Sequence, residues 1–560
     1  MKIIHFSKSA KITNNPTNDN IYLFTQFFIH RDQKRNIEIQ DCLKKNIQNP
    51  IITKIFLLNE KIFSPQELGI YHEKIQQENI GKRLTYQDVF QYVRINKLTG
   101  YFAIVNSDIF LDNTIDNLRL STIHEKKQMF ALLRYEYNEG LGTQKSPIFG
   151  PRFDSQDTWI FHTNFTILEN QEKVMNITLG QPGCDNKILY ILSILGYDII
   201  NDPLYIQTFH NHKSKQRDYT IKDVIQKPWG VIVPSNANPL TIPPSLGINL
   251  QQVSQATHGF QDVRFDDNTR IFEYIQSKIN SEQKFIIPRV CGIENNFAVF
   301  GNMCRNNDNK PTYEIQQYFQ KVLPAMKNNA GIKISTINSI LKYSDMYIKA
   351  FDNCEMFAGW EVHGDYINHI SQSYDYITKK YNNTKKIVWA FNYDIFHYIY
   401  SNPWTLALKG KRILIISPFE ESIKEKIPIR EKIYGIDLFP DCTITTIKPP
   451  QTQAGEDSQE FDIELTLFMR KLDLIVDTYD IALVSAGGYG NLICNYIYES
   501  TDKSAIYVGG VLQMYFGILG NRWLKERPDV VRLFLNENWS RPKSSEKPKN
   551  CENVEGGCYW

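Results

Sequence analysis

Short apolar runs that stop abruptly at polar or small residues recur along this chain, with helical lengths between them. Residues 21–28, 52–60, 101–105, 130–136 and 158–161 form such runs in the first half, and residues 285–290, 412–419, 481–485 and 505–508 repeat the pattern in the second. Runs of this length rich in β-branched and aromatic residues read as buried strands, and strands alternating with helices imply a mostly parallel sheet. An open α/β sheet presents its ligands at the carboxyl ends of its strands. The residues that end each run are therefore where chemistry is expected.

A chain of 560 residues is too long for one core, so two or three domains are expected. Between about 227 and 265 the sequence turns rich in Pro, Asn and Gln, with Pro234, Pro239, Pro243 and Pro244, and reads as an irregular linker. The expected organisation is an α/β domain over 1–226, a linker over 227–265 and a second α/β domain over 266–560. Residues 32–46, 313–341 and 365–381 have helical character. Lys+Arg 63 against Asp+Glu 61 gives a net charge of +2, which argues against a nucleic-acid partner. No stretch approaches the roughly 18 apolar residues of a membrane span. The amino-terminal residues lack the apolar core of a signal peptide. Nine cysteines without a C-x-x-C pair read as reduced thiols, so a cytoplasmic location is expected.

The most informative stretch is Tyr101-Phe102-Ala103-Ile104-Val105, which ends in Asn106-Ser107-Asp108, with Asp112 close behind. Hard oxygen ligands at a strand end suit Mg²⁺ or Mn²⁺ carried with a diphosphate. Asp108 is the expected first ligand, while Asp112 is either a second ligand or the cap of the next turn. Gly183-Cys184-Asp185-Asn186 opens an apolar helix, where the helix dipole would favour an ionised Asp185. Asp185 reads as a general base or an ordinary helix cap, and Asp157 is the second candidate catalytic carboxylate. His210 and His212 stand two apart at a strand end and so share a face, either as metal ligands or as structural residues. Together these groups would serve transfer of a sugar from a nucleotide diphosphate, with a cation on the anionic leaving group and a carboxylate taking the acceptor's proton. In the second half, Gly487, Gly488 and Gly490 around Tyr489 would let backbone N–H groups reach a phosphate, or else form a tight strand–helix turn.

Asn106-Ser107-Asp108-Ile109 after a buried strand resembles the variant DxD motif of GT-A-type glycosyltransferases. Gly183 to Asn186, Gly196-Tyr197, His210-x-His212 and Arg217-x-Tyr219 resemble, in order, features of polysaccharide glycosyltransferases of bacteria and large DNA viruses. The likeness spans most of residues 20–220. It implies that Thr25, Gln26 and Arg83 touch the nucleotide, that Asn106, Ser107 and Asp108 face the donor, that Asp108 with His210 or His212 holds Mn²⁺ or Mg²⁺, and that Asp185 meets the acceptor. Asn106 replaces the first acid of the standard motif, which bears directly on metal dependence.

Residues 270–560 resemble the GT-D-type glycosyltransferases. The likeness is carried by Pro403-Trp404-Thr405, Ser417-Pro418-Phe419, Ala486 to Gly490, Val508-Gly509-Gly510 and Gly520-Asn521-Arg522-Trp523. Arg289 to Glu294 parallels a motif ending in Asp-Gly-Glu, with Gly292 in place of the Asp. The implied second site comprises Arg289, Glu294 and Ser417, with Gly509, Gly510 and Gln513 beside the glycine loop. The expected fold is thus α/β with two Rossmann-like domains, GT-A-like then GT-D-like. The expected partners are a nucleotide-sugar donor and a glycan or glycolipid acceptor. Two other classes fit parts of the sequence. A bifunctional glycosyltransferase–methyltransferase would use the C-terminal glycines for S-adenosylmethionine, although G-x-G-x-x-G spacing is lacking. A non-catalytic carbohydrate-binding protein would use the 13% aromatic content for stacking on sugars.

Overall fold

A computed structural model of the chain describes residues 2–150, 152–213, 219–226, 228–235, 265–305, 307–359, 377, 380–381 and 384–560. Arg217, most of the expected linker and most of the helix expected over 365–381 lie outside these residues. The chain divides into two compact units, Met1–Asp262 and Val263–Trp560.

The first unit contains the strands β1 (Lys2–Phe6), β2 (Ile21–Thr25), β3 (Lys54–Asn59), β4 (Ile75–Asn79), β5 (Tyr101–Val105) and β6 (Ile109–Leu111). They are followed by β7 (Gln128–Leu132), β8 (Tyr135–Glu136), β9 (Thr158–His162), β10 (Asp198–Ile200), β11 (Thr208–His210) and β12 (Trp229–Val233). Seven of them form one sheet in the order β10-β7-β9-β5-β2-β3-β4. β9 runs antiparallel to both its neighbours, and every other pairing is parallel. Every residue of β2, β5, β7 and β9 is buried. Burial of both faces is why these strands read as continuous apolar runs rather than alternating ones.

Helix Gln33–Gln48 turns Ile39, Leu43 and Ile47 into the same core as Leu23, Ile55 and Val105. It begins at an Asp32 side chain that accepts from the N–H of Lys34. Residues 130–136 contribute two elements, not one: β7 ends at Leu132, and β8 joins a separate three-stranded sheet, β6-β11-β8. Residues 229–233, within the stretch read as linker, form β12, which pairs in parallel with the amino-terminal β1. A partner so far away in sequence left no local signal.

In the second unit β13 (Ile286–Ile287), β14 (Met356–Gly359), β15 (Lys386–Trp389), β16 (Arg412–Ile416), β17 (Thr443–Ile447), β18 (Ile481–Val484) and β19 (Ser504–Tyr507) follow in sequence. Five form a parallel sheet in the order β13-β19-β18-β16-β17, and β14 pairs in parallel with β15. Each of β16, β18 and β19 is followed by a helical segment. Residues 313–341 hold one complete helix, Tyr313–Asn328, and the start of another, Ile337–Asn353, capped by Thr336. Gly331, at φ +71°, lies in the break between them.

Candidate metal centre

The end of β5 is a tight polar turn. The N–H of Asn106 donates to the Asp157 carbonyl at 3.3 Å, and the N–H of Ile109 donates back to the Asn106 carbonyl at 3.1 Å. The turn delivers the chain into β6, which pairs antiparallel with β11 so that Ile109 lies opposite His210. On its other side β11 runs parallel to β8, with His210 beside Glu136. The N–H of Asn211 donates to the Asp108 carbonyl at 2.9 Å, fixing β11 and the turn to each other. This small sheet, rather than the large one, sets the geometry of the site.

His210 Nε2 lies 3.1 Å and His212 Nδ1 3.6 Å from the same oxygen, Asp108 Oδ2. One donor atom from each of the three residues lies within 4.8 Å of the other two. The opposite nitrogen of His210, Nδ1, is 3.1 Å from Glu136 Oε2. A carboxylate behind a ligating histidine fixes the ring and leaves the far nitrogen for a metal. His212 Nε2 is buried and has no hydrogen-bond partner among the described residues. Two imidazoles and a carboxylate make a mixed donor set, which suits Mn²⁺ better than Mg²⁺. The residues present therefore fit a divalent cation, and Asn106 is not needed as a ligand.

Arg35, from helix Gln33–Gln48, also reaches Asp108 Oδ2, and its Nη1 lies 3.0 Å from Glu38. Burial alone would raise the Asp108 pKa, but His210, His212 and Arg35 outweigh it and hold the carboxyl well below its usual range. Burial likewise opposes a charge on His210. The Asp108 and Glu136 carboxylates overcome it and push the imidazole up to about 9. Glu136, which burial would raise, is instead held at about 2 by His210 and Arg134.

Arg134 continues the frame. Its Nε is 2.9 Å from Glu136, while its Nη1 contacts Asp157 and sits 3.2 Å from Ser155 Oγ. Asp157 accepts from the Asn106 side-chain amide at 2.7 Å. Of the two candidate catalytic carboxylates, Asp157 is thus held by Arg134 and Asn106. Asp185 lies in the first turn of helix Cys184–Ile194, next to a Gly183 at φ +80° that starts the helix without a side-chain cap. Its Oδ1 accepts from the N–H of Asn186 at 2.9 Å and its Oδ2 from the N–H of Gln156 at 3.3 Å. Burial, reinforced by Asp157, pushes the Asp185 pKa up to about 7, so the dipole does not win there. Asp112 caps the following 3₁₀ turn through the N–H of Thr114 and stays out of the site.

A small cleft at the end of β2 is lined by Thr25, Gln26, Phe27, Asn46 and Ser107, and the buried Thr25 hydroxyl has no hydrogen-bond partner among the described residues. The Gln26 amide is taken up by backbone: it donates to the Leu58 and Lys82 carbonyls and accepts from the N–H of Leu84. Gln26 thereby orders the loop that carries Arg83. Arg83 is exposed, and its Nη2 and the Asn106 Oδ1, which has no hydrogen-bond partner among the described residues, each lie 3.6 Å from where a Cβ on Gly180 would stand.

In the second unit the glycines expected to cradle a phosphate pack closely against the protein's own atoms. A Cβ on Gly488 would overlap Ile332, one on Gly490 the Tyr507 ring, one on Gly509 the Arg289 guanidinium and one on Gly510 the Tyr559 ring; one on Gly487 would come within 2.9 Å of the Ala330 carbonyl. These glycines permit close packing. Tyr489 is 1% exposed and belongs to the core. Ser417 is buried and accepts from the N–H of Phe419. Gln513 donates to the Ile518 and Tyr559 carbonyls, and Arg289 donates to the Val508 carbonyl at 2.6 Å. Glu294, in the first turn of helix Gly292–Arg305, has its pKa raised, chiefly by burial.

Sequence reasoning missed Arg35, Glu38, Arg134 and Glu136. A signal existed: Arg35 and Glu38 are three apart on one helix, and Arg134 and Glu136 are two apart at a strand end. All nine cysteines are free, and among the described residues no helix is long and apolar enough to cross a membrane.

The chain matches no protein-family model and no curated protein. Among solved structures it is similar to the mannosyltransferase PcManGT from Pyrobaculum calidifontis in complex with GDP-Man and Mn²⁺, at 9% identity and a TM-score of 0.25, over 37% of this chain and 61% of that one. It is also similar to a 4-diphosphocytidyl-2C-methyl-D-erythritol synthase, at 9% identity and a TM-score of 0.22, over 37% of this chain and 96% of that one. Likeness at this level assigns neither activity to the chain, and the functional reading rests on the site.

Proposed function

We propose that the chain is a glycosyltransferase that moves a hexosyl or pentosyl group from a nucleotide-diphosphate donor to a glycan or polysaccharide acceptor. The observation that carries this reading is the convergence of Asp108, His210 and His212 on one cation-sized space in a unit that also buries a carboxylate with a pKa of about 7. When bound, Mn²⁺ or Mg²⁺ would neutralise the diphosphate leaving group. Asp108, His210 and His212 would hold it, with Glu136 orienting His210. Asp185 accepts the proton of the acceptor hydroxyl as the new oxygen–C1 bond forms and the C1–phosphate oxygen bond breaks. A base with a pKa near the working pH is well matched to that step. A single displacement of this kind inverts the anomeric centre. Thr25, Ser107 and Asn106 offer polar groups to the donor, and Arg83 offers a charge to its phosphates. The second unit serves as a further transferase or as a donor- or acceptor-binding module.

The test is a panel of UDP- and GDP-sugars incubated with the whole chain, with Mn²⁺ and with chelator. Donor turnover that needs Mn²⁺ and is lost in Asp108→Ala supports the reading. Turnover unchanged by either treatment contradicts it.

A further inference from the structure

The ionic frame behind the metal ligands does more than neutralise charge. Arg134 is 7% exposed, and its planar side chain packs on Phe149, with Cζ 3.9 Å from the ring centre. One edge of its guanidinium meets Glu136, whose other oxygen holds His210 Nδ1 at 3.1 Å. Its Nη1 meets Asp157 and Ser155 Oγ. Asp157 follows directly on Gln156, whose N–H donates to Asp185, and it also anchors Asn106 at the end of β5. A rigid five-donor fork can hold two carboxylates in fixed directions, which a lysine ammonium cannot.

Building on the reading of this unit as a metal-dependent transferase, we propose that Arg134 is a positioning residue shared by both ends of the site. Through Glu136 it sets the orientation of a metal-ligating histidine. Through Asp157 it sets the field in which the base works. It touches no reacting atom.

The two branches have separable consequences. Loss of the Glu136 branch frees the His210 ring and weakens the metal by about 10- to 100-fold, the usual cost of removing a carboxylate behind a ligating histidine. Loss of the positive charge leaves Asp157 uncompensated beside Asp185. The other groups acting on Asp185 are the Asp154 carboxylate and the N–H donors of Asn186 and Gln156, and the buried Cys184 thiol and Tyr86 hydroxyl are coupled to it; none of these supplies a cation. A second bare carboxylate favours the neutral form of Asp185, so the acid limb of the rate profile moves to higher pH, by on the order of one unit.

The experiment uses the full chain in four forms: wild type, Glu136→Gln, Arg134→Met and Arg134→Lys. Mn²⁺ affinity is read without donor by the spin resonance of free Mn²⁺, and the pH dependence of kcat is read from donor turnover. Thermal melting of each form reports folding. Glu136→Gln is expected to weaken Mn²⁺ and leave the acid limb in place. Arg134→Met is expected to weaken Mn²⁺ and raise the limb. Arg134→Lys keeps the charge but not the fork, so it is expected to weaken Mn²⁺ with the limb near its original position. The proposal is overturned if Arg134→Met moves neither quantity, or if Arg134→Met and Arg134→Lys behave alike in both. If Arg134→Met does not fold, the contrast between Glu136→Gln and Arg134→Lys decides: a raised limb in Arg134→Lys or unchanged Mn²⁺ affinity in Glu136→Gln overturns the proposal. A wild type that binds Mn²⁺ but turns over no donor defeats the transferase reading while the Mn²⁺ series still tests Arg134. A wild type that binds no Mn²⁺ overturns both.

Discussion

Asp185 and His212 are the residues at which function and stability pull apart. The Asp185 carboxyl, raised by burial to about 7, binds a proton in the folded chain over a range where the unfolded chain has lost it. Its contribution to stability is full below the unfolded pKa of roughly 4 and is lost as pH rises through 7. At pH 8 the folded state therefore bears a buried charge that Asp185→Asn removes. That variant is expected to melt higher than wild type at pH 8, with a smaller difference at pH 4, while kcat falls by two or more orders of magnitude. Differential scanning calorimetry at the two pH values checks the first part; a melting point lower than wild type at pH 8 contradicts it. His212→Ala removes a ring with an unpartnered buried nitrogen. It is expected to cost little stability yet weaken Mn²⁺ at least tenfold, as measured by titration calorimetry. Asp108→Ala differs because it strips one of two carboxylate partners from a buried Arg35, leaving only Glu38, and removes the carboxylate that faces His210. Its melting point should fall by the equivalent of roughly 3–5 kcal/mol, so its lost activity must be read beside a melting curve.

At the scale of elements, β11 holds the site together. Phe209 is fully buried in the core, stacking on Phe110 with ring centres 5.2 Å apart and lying 5.5 Å from Tyr135. It joins the three strands whose register brings Asp108, His210 and Glu136 together. Phe209→Ala should cost about 3–5 kcal/mol in denaturant unfolding and weaken Mn²⁺ without touching any ligand. A destabilised variant with wild-type Mn²⁺ affinity would show that the register does not depend on this packing. In the second unit, Gly490→Ala forces a methyl group onto the Tyr507 ring. It should destabilise the protein by roughly 1–3 kcal/mol and leave donor-induced shifts in melting temperature intact. Loss of those shifts at unchanged stability would restore the phosphate-cradle reading.

Elements were legible in the sequence where their burial was local. β5 spans residues 101–105 as read, and Asp185 falls in a first helical turn. Pairings between distant segments were not legible. The β1–β12 pair and the β6-β11-β8 sheet arise from contacts that no window of sequence contains, and with them went Glu136 and Arg134. The glycine loop is ambiguous in sequence for a related reason. A missing Cβ serves a ligand and a neighbouring ring equally well, and only the position of Tyr507 tells them apart.

At the scale of the whole molecule, the first unit brings together Asp108, His210 and His212, a group that could hold a cation, while the glycine turns of the second unit pack against its own atoms. The charge is nearly balanced overall, at +2, yet the first unit gathers Asp108, Glu136, Asp157 and Asp185 around two arginines and two histidines. Concentration of ionic groups in one place is costly unless a ligand or reaction uses them. The central claim is that Asp108, His210 and His212 form a Mn²⁺ site serving a nucleoside diphosphate. Its most direct test is calorimetric titration of Mn²⁺ into the full chain, with and without UDP or GDP, for wild type and His212→Ala. The account predicts one site per chain in wild type, tighter with the diphosphate present and weakened at least tenfold in His212→Ala. Equal Mn²⁺ affinity in the two proteins, or no effect of any diphosphate, would contradict it.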